Sequence, residues 1–266
     1  MTDDIVRGSL DIEPLVVQAR AWETHAAAAL SRIGVKADWA CLDLACGPVG
    51  ILPLLAGMIG PSGRIVGVER DPYMVGAARE IVRSAGREDV ELVEADAASS
   101  GLPGASFDLV HGRFLLGHVA DPSAMLTEML RLTKPGGTVL VQEPDHSSWN
   151  FYPSIEAWPR LLSLGEQAFA RAGVEINIGR RCYQLLRDAG LEDVTIAASV
   201  LALQDGHPYM SMGLKAAEVM GPLMVKAGLT TDHELSALTR ALEEHIARPD
   251  TWAVTFTTVQ VWGRRR

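Results

Sequence analysis

The feature that most constrains this chain is an alternation of short apolar runs with stretches of helical periodicity. Helical patterns follow the first, second, fourth and fifth of these runs. Apolar runs bounded by turn residues are typical of strands buried on both faces, and intervening helices supply the crossovers of a parallel sheet. The sequence therefore predicts an α/β fold with a doubly wound, mostly parallel sheet, whose first five strands lie at residues 39–45, 64–68, 90–93, 107–111 and 137–142.

The remaining segments extend this core at both ends. Apolar residues from Leu15 to Ile33 recur at helical spacing, and Gly34 suits a left-handed C-cap. Further strands are predicted at Val194–Leu201 and Trp252–Trp262, and the segment between them is too long for a plain loop. We expect one domain of residues 1–266 with four parts: an N-terminal helical region (1–36), a central core (37–145), and helical cap segments at 146–190 and 202–250.

Composition narrows the classes of partner. The net charge of −9 disfavours nucleic acid, because proteins that track phosphates concentrate Lys and Arg on one face. The three cysteines, Cys41, Cys46 and Cys182, are odd in number and predict reduced thiols rather than a disulfide framework. No signal-peptide pattern or membrane-spanning apolar run is visible. We expect a cytoplasmic monomer or homodimer without a membrane or nucleic-acid partner.

Residues 39–50 predict a strand that enters a glycine-bearing turn and then a helix. The first N–H groups of such a helix carry partial positive charge and favour a carboxylate or a phosphate. Asp43 is more telling, because a carboxylate at the strand end would repel the pyrophosphate of a dinucleotide. The same carboxylate suits a cofactor that carries an ammonium group and a sulfonium. The cofactor that fits is S-adenosyl-L-methionine.

Two further acidic residues follow the next two predicted strands. Glu69 can accept hydrogen bonds from both hydroxyls of a ribose, and Asp96 can accept from an adenine amino group. A nicotinamide-dependent dehydrogenase also places an acid at the end of its second strand, but the G-x-G-x-x-G fingerprint of that class is absent. Three acids at three successive strand ends therefore favour S-adenosylmethionine.

The order of these elements and the residues at the strand ends resemble a class I S-adenosylmethionine-dependent methyltransferase, of the kind that includes quinone-biosynthesis and natural-product enzymes. Residues 38–145 carry most of the resemblance, and it implies a Rossmann-like sheet of seven strands with the last antiparallel. It also implies cofactor contacts from Asp43, Gly47 and Gly50. The family has glycines at Ala45 and Val49, and because a β-branched residue resists positive φ, we expect a different local path at Val49.

The resemblance implies further cofactor contacts around the adenosine. Asp96 and the N–H of Ala97 match an adenine clamp, Arg70 and Met74 follow Glu69 on the loop and first helical turn, and Met74 offers a polarizable face to the ring. Gln18 and Trp22 on the leading helix are expected to close over the cofactor. Arg113 is expected to contact the cofactor or an anionic substrate; a surface arginine that caps the strand is the alternative.

Methyl transfer needs a base only when the acceptor holds a proton at neutral pH. His118 and His146 are the candidate catalytic bases, since imidazole titrates near pH 7, although either histidine could simply satisfy local hydrogen bonds. An Asn/Asp-Pro-Pro-aromatic run is absent after the fourth strand, which disfavours methylation of nucleobases and amides. Glu143, Asp145 and His146 do not match the carboxylate set of catechol-type enzymes, so no metal is expected.

The aromatic residues of 149–158 predict a wall for a flat or apolar acceptor, or rings that only pin a helix to the sheet. The function predicted from the sequence is methyl transfer from S-adenosylmethionine to a small apolar or aromatic molecule, with oxygen favoured over nitrogen and carbon. The alternative is a protein that binds S-adenosylmethionine without methyl transfer, in a regulatory role or for other chemistry.

Overall fold

A computed structural model describes residues 12–266 and contains a seven-stranded sheet in the order β3-β2-β1-β4-β5-β10-β7. Strand β10 pairs antiparallel with both β5 and β7, while β1 to β5 are mutually parallel. The predicted mixed sheet with an antiparallel last strand is confirmed. The strands of this sheet are β1 (Ala40–Leu44), β2 (Arg64–Glu69), β3 (Glu91–Glu94), β4 (Phe107–Arg113), β5 (Thr133–Asp145), β7 (Glu192–Ser199) and β10 (Thr257–Arg264).

Helices lie on both faces of the sheet and above its carboxyl edge. The nine α-helices of the described residues are α1 (Ile12–Ala21), α2 (Glu23–Ile33), α3 (Leu52–Met58), α4 (Pro72–Ser84), α5 (Pro122–Leu132), α6 (Ala157–Arg171), α7 (Gly179–Asp188), α8 (Met212–Lys226) and α9 (Asp232–Ile246). Asp71 and Asp121 accept hydrogen bonds from the first N–H groups of α4 and α5, and proline follows each of them. Both helices therefore begin at an N-cap aspartate followed by proline.

Alternate residues of the central strands bury on opposite faces of the sheet. Leu42 and Leu44 join a core cluster that includes α5 and α7, whereas Cys41, directly before Leu42, joins a second cluster with α2, α3 and α4. Strand β5 behaves in the same way, with Val139 and Val141 on one side. Because both faces are apolar, each strand needs a helix on either side, which produces the doubly wound architecture.

The structure corrects several predicted boundaries. The leading helix divides at Trp22, where α1 ends and α2 begins. The predicted last strand also divides: β9 (Trp252–Val254) leaves the main sheet, and the chain resumes as β10 after Thr255 and Phe256. Strand β9 joins β6 (Asn150–Tyr152) and β8 (Ala202–Leu203) in a small antiparallel sheet that periodicity did not predict.

The cap above the carboxyl edge contains α6, α8, α9 and the small sheet, around a third core cluster rich in aromatic residues. Helix α7 was expected in the first cap segment, 146–190, but it packs on the main sheet through Cys182 and Leu186. Its buried residues lie on one side of an otherwise polar helix, and that side faces the main sheet. Among residues 12–266, no helix is long and apolar enough to span a bilayer.

Candidate cofactor and active site

A cavity of about 390 Å³ opens at the carboxyl edge of the sheet, where β1 and β4 are neighbours. Chain connections leave these two strands in opposite directions, and ligands of open α/β sheets bind at such a point. The cavity is lined by eleven of the twelve predicted cofactor residues together with His118; the eleven are Gln18, Asp43, Ala45, Gly47, Gly50, Glu69, Arg70, Met74, Asp96, Ala97 and Arg113.

The turn after β1 enters the left-handed region at three positions. Ala45 has φ of 52°, Gly47 of 55° and Gly50 of 52°. A Cβ added at Gly50 would collide with the carboxylate of Asp43, so only glycine fits there. Val49 is not among the residues with positive φ. Val49 therefore avoids the left-handed region, as expected for a β-branched residue, and the residue with a strained backbone is Ala45.

Asp43 lies beneath this turn and is 1% exposed. Its Oδ2 accepts the N–H of Ile51 at 2.8 Å, which fixes the start of the following helix. Its Oδ1 lies 2.7 Å from Nδ1 of His111, and the other ring nitrogen of His111 lies 2.9 Å from Oε1 of Gln142. The carboxylate predicted to attract the cofactor thus also connects β1 to the turn and, through His111, to β4 and β5.

Glu69 holds the second corner of the cavity. Its Oε2 accepts the N–H of Gly47 at 2.9 Å, and its Oε1 accepts those of Arg70 at 2.8 Å and Asp71 at 3.0 Å. The side chain therefore joins the turn after β1 to the loop after β2. A carboxylate has about four lone-pair sites, so it retains acceptor capacity for a ribose.

The third corner follows β3. Oδ1 of Asp96 accepts the N–H of Ala98 at 2.8 Å and begins a short 3₁₀ turn, which sets Ala97 on the cavity wall. The thioether of Met74, on the first turn of α4, lines the same end of the cavity. An acidic side chain, a backbone turn and a polarizable side chain therefore surround one space, as an adenine ring requires.

Arg113 lies at the end of β4, where the turn after β1 meets the cap. Its Nη2 donates to the carbonyl oxygen of Gly50 at 2.8 Å, while its Nη1 is buried without a hydrogen-bond partner. Burial lowers the pKa of this guanidinium, and the charge of Asp43 opposes that shift. A buried donor without a partner costs free energy, so this nitrogen is a candidate contact for an anionic group of a ligand.

Gln18 and Trp22, the two predicted cofactor residues of the leading helices, lie in different surroundings. Gln18 lines the cavity, and its Nε2 donates to the hydroxyl of Tyr209 at 3.2 Å. Trp22 is 1% exposed and is not among the lining residues; its ring stacks on Phe256, with centroids 5.2 Å apart. The break between α1 and α2 places the ring of Trp22 in the core, so its cofactor contact stays a prediction that the cavity lining does not support.

The two candidate bases have different surroundings. His118 lines the cavity, and its side chain is exposed there. The pKa of its imidazole is lowered, chiefly because the surrounding protein desolvates the ring and also because Arg70 is positively charged. His146 is not a lining residue; its Nδ1 lies 2.8 Å from the carbonyl oxygen of Ile176, which only accepts, so Nε2 is the basic nitrogen. Burial also lowers the pKa of His146.

Glu143 has a role that sequence reasoning missed. It is fully buried at the end of β5, and its Oε1 accepts the N–H groups of Leu115 and Leu116, both at 2.8 Å. These bonds hold the 3₁₀ turn Leu116–His118 that carries the first candidate base. Burial raises the pKa of Glu143 to about 7, and the backbone hydrogen bonds oppose that rise. An acid inside an otherwise apolar strand was the available signal.

Glu143, Asp145 and His146 are close in sequence and are the residues weighed above as metal ligands. Asp145 pairs with Arg180, and among the residues that the structure describes there is no group of three His, Cys, Asp or Glu placed to hold a metal ion.

The cavity fits S-adenosylmethionine by size and by chemistry. Its volume lies within the range of about 300–1,000 Å³ that small-molecule sites occupy. The positive-φ Gly47 leaves open space where a side chain would project, and the acids Asp43, Glu69 and Asp96 surround that space. A cationic adenosyl amino acid suits such a lining, whereas a pyrophosphate would be repelled.

Fold and cavity together define an α/β protein that binds a cationic nucleoside cofactor at a topological switch point. A family model described as a methyltransferase domain matches residues 36–190. The chain therefore belongs to the methyltransferase domain family. This membership confirms the predicted class of enzyme and its cofactor.

Two bacterial proteins are similar to this chain in sequence. An uncharacterized 37.1 kDa protein of a Streptomyces fradiae transposon is 32% identical over 67% of this chain, which spans 50% of that protein's length. The ubiquinone/menaquinone biosynthesis C-methyltransferase of Enterobacter sp. is 30% identical over 66% of this chain and 76% of its own length.

A solved structure shares the fold at lower sequence identity. The phosphoethanolamine N-methyltransferase 2 of Haemonchus contortus, in complex with S-adenosyl-L-methionine, superposes with a TM-score of 0.60 at 16% identity. The superposition covers 100% of this chain and 60% of that one.

Proposed function

We propose that the protein transfers a methyl group from S-adenosylmethionine to a hydroxyl oxygen of a small aromatic acceptor. The observation that supports this proposal is the position of His118 on the wall of the cofactor cavity with a lowered pKa. A neutral imidazole can accept a proton at physiological pH. An amine acceptor that is already unprotonated needs no such group, whereas a phenol benefits from one.

In the proposed complex, the acidic corners of the cavity hold the cofactor. Glu69 receives the ribose hydroxyls, Asp96 and the N–H of Ala97 receive the adenine edge, and Nη1 of Arg113 donates to the carboxylate of the amino-acid portion. Asp43 fixes the turn and contributes negative charge beneath the ammonium group. When bound, the cofactor supplies an electrophilic methyl carbon attached to a positively charged sulfur.

The protein then has two tasks, alignment and proton transfer. Because the leaving group is already activated, most of the rate enhancement comes from holding the acceptor oxygen in line with the methyl carbon and the sulfur. His118 accepts the hydroxyl proton as the new oxygen–carbon bond forms and the carbon–sulfur bond breaks. The sulfur would leave with the bonding electron pair as a neutral thioether, and the imidazolium of His118 would then return its proton to water.

The cap covers the acceptor in this proposal. Residues 146–178 and 202–250 lie above the carboxyl edge, and their aromatic cluster continues from Phe114 on the cavity wall. An apolar roof excludes water from the reacting groups and favours an aromatic acceptor over a charged one.

Methylation of a ring carbon is the second candidate, because the Enterobacter relative is named as a C-methyltransferase. A hydroxylated ring attacks through carbon when its oxygen is deprotonated, so His118 serves either reaction. The third candidate, cofactor binding without methyl transfer, uses the same cavity but predicts that no acceptor is methylated.

The test uses a ¹³C-methyl-labelled cofactor and a set of phenols, hydroquinones and hydroxynaphthalenes. A carbon chemical shift typical of a methoxy group supports the proposal, and an aryl-methyl shift supports the carbon alternative. Binding of S-adenosylhomocysteine without turnover of any acceptor would favour the protein that only binds the cofactor.

A further inference from the structure

Phe256 lies at the centre of a group of aromatic rings next to the cofactor cavity. Ring centroids of four neighbours lie within 6 Å of its own, and we call these five residues the Phe256 cluster. The four are His146 at 4.8 Å, Trp22 at 5.2 Å, Trp149 at 5.4 Å and Phe114 at 5.8 Å. Phe256 is 3% exposed, so its ring fills a space walled by other aromatic rings.

The Phe256 cluster adjoins the cofactor cavity through Phe114. Phe114 lines the cavity, so the ring of Phe256 lies one side chain away from it. His146, the second candidate base, packs against another side of Phe256. The space that Phe256 occupies is therefore bordered by the cavity wall at Phe114 and by the imidazole of His146.

The backbone around Phe256 differs from that of a regular strand. Thr255 and Phe256 separate β9, in the small sheet, from β10, in the main sheet. Thr255 is bonded twice to Leu201: its N–H donates to the carbonyl oxygen of Leu201 and its hydroxyl oxygen accepts the N–H of Leu201, both at 3.0 Å. Neither hydrogen bond involves the side chain of Phe256, so both remain when that side chain changes rotamer.

Trp149 supplies the polar group of this cluster. The residue is 5% exposed, and its Nε1 is buried without a hydrogen-bond partner. Trp158, nine positions later and with its ring 4.9 Å away, has a partner for its own N–H: it donates to the carbonyl oxygen of Trp149 at 2.7 Å. Buried donors in native proteins are almost always paired, so the unpaired N–H of Trp149 requires an acceptor from elsewhere.

We infer that the Phe256 cluster is the acceptor site in its closed form. A planar aromatic acceptor replaces the ring of Phe256 between Phe114, Trp22 and Trp149, and an oxygen atom on that acceptor receives the N–H of Trp149. This inference rests on the proposed function and deepens it. It specifies a fused or substituted aromatic ring with at least two oxygen substituents, one that is methylated and one that only accepts a hydrogen bond.

The closed form explains the size of the cavity. About 390 Å³ is near the lower end of the usual range for small-molecule sites, and the lining residues are largely those expected to hold the cofactor. An aromatic acceptor needs additional space, and rotation of one phenyl side chain provides a space of the matching shape. Acceptor affinity is then reduced by the fraction of molecules in which Phe256 has not rotated.

The experiment compares Trp149→Phe with Trp158→Phe. Binding of 4-methoxy-1-naphthol is measured by calorimetry on each full-length protein saturated with S-adenosylhomocysteine, and thermal midpoints are measured without the probe. Trp149→Phe removes an unpaired donor, so we expect a higher thermal midpoint and probe binding weakened about tenfold. Trp158→Phe leaves the carbonyl of Trp149 unpaired, so we expect a lower midpoint and unchanged probe binding.

In Trp149→Phe we expect the thermal midpoint to rise while the affinity for the probe falls. Changes in opposite directions distinguish a ligand contact from a purely structural role. Equal probe affinity in Trp149→Phe and the wild type would overturn the inference, as would failure of the wild type to bind the probe. Phe256→Ala gives an independent readout: we expect a lower thermal midpoint but tighter probe binding, because no ring has to move. Weaker binding in that variant contradicts the displacement.

These outcomes separate the inference from the proposed function. If the labelled cofactor methylates an acceptor but Trp149→Phe leaves its KM unchanged, the acceptor binds elsewhere and the proposed function stands. If the probe binds as expected but no acceptor is methylated, the aromatic site is correct and the proposed reaction is wrong.

Discussion

Replacement of Asp43 by asparagine tests the central interaction of the cofactor site. The buried carboxylate accepts hydrogen bonds at 2.8 Å from Ile51 and 2.7 Å from His111. Asparagine keeps one oxygen, so one charge-assisted bond is lost and the other becomes neutral. Such bonds contribute about 1.5–3 kcal/mol each, and we expect the variant to be destabilised by about 3 kcal/mol. For a chain of this size, that lowers the thermal midpoint by about 6–12 °C.

The same variant is expected to lose cofactor affinity. Loss of the negative charge beneath the turn and of the bond to Ile51 should weaken binding of S-adenosylhomocysteine at least about tenfold, or roughly 1.4 kcal/mol. Asp108→Asn is the matched control. Asp108 accepts from the N–H of Ala40 and from Lys134, both at 2.8 Å, on the same sheet, but it does not line the cavity.

Calorimetric titration and thermal denaturation of both variants provide the measurement. Asp108→Asn should lose about 1 kcal/mol, because its ion pair is partly exposed, and should keep wild-type cofactor affinity. The reasoning fails if Asp43→Asn binds S-adenosylhomocysteine as tightly as the wild type, or if its stability falls no further than that of the control.

Three further predictions concern residues at the cavity or directly beside it. His118→Asn should reduce kcat for a phenolic acceptor by roughly 10²–10⁴-fold. Because the pKa of His118 is lowered, the pH–rate profile of the wild type should fall only below about pH 6.5. If the same fall persists in His118→Asn, the assignment of His118 as the base is contradicted. Glu143 binds its proton more tightly in the folded state, so its contribution to stability is complete below pH 4.5 and is lost, by about 3 kcal/mol, as the pH rises through about 7. Denaturant melts from pH 5 to 8 should therefore show a flatter profile for Glu143→Gln than for the wild type, and parallel profiles would refute this. Ala45→Gly removes the steric strain of an alanine with φ of 52°, which stabilises the folded state by about 1–2 kcal/mol. This gain offsets the conformational entropy that glycine adds to the unfolded chain, so the urea midpoint of the variant should equal or exceed that of the wild type.

The sequence predicts which strand ends meet at the cavity because the signals are local. Asp43, Glu69 and Asp96 each follow an apolar run, and parallel strands bring their carboxyl ends to one edge. All three acids line one cavity, and no long-range contact had to be known to expect this. His118 lines the same cavity, and its prediction came from the family resemblance, in which a histidine often stands at this position near the cofactor.

Residues whose roles depend on distant partners were not predictable in this way. Trp22 has the spacing of a helix that covers the cofactor, but the helix breaks there and the ring packs on Phe256, more than two hundred positions away. Glu143 stands out locally as an acid in an apolar strand, but that pattern does not reveal its partners, the N–H groups of Leu115 and Leu116.

The sequence by itself determined the doubly wound sheet, the acidic strand ends and hence the class of cofactor, because periodicity and strand-end chemistry are properties of neighbouring residues. Only the tertiary structure decided which oxygens of Asp43 remain committed to the protein, where the last strand divides, and that Phe256 fills an aromatic space beside the cavity. Those features arise from contacts between segments far apart in the chain, and no local pattern of residues encodes them.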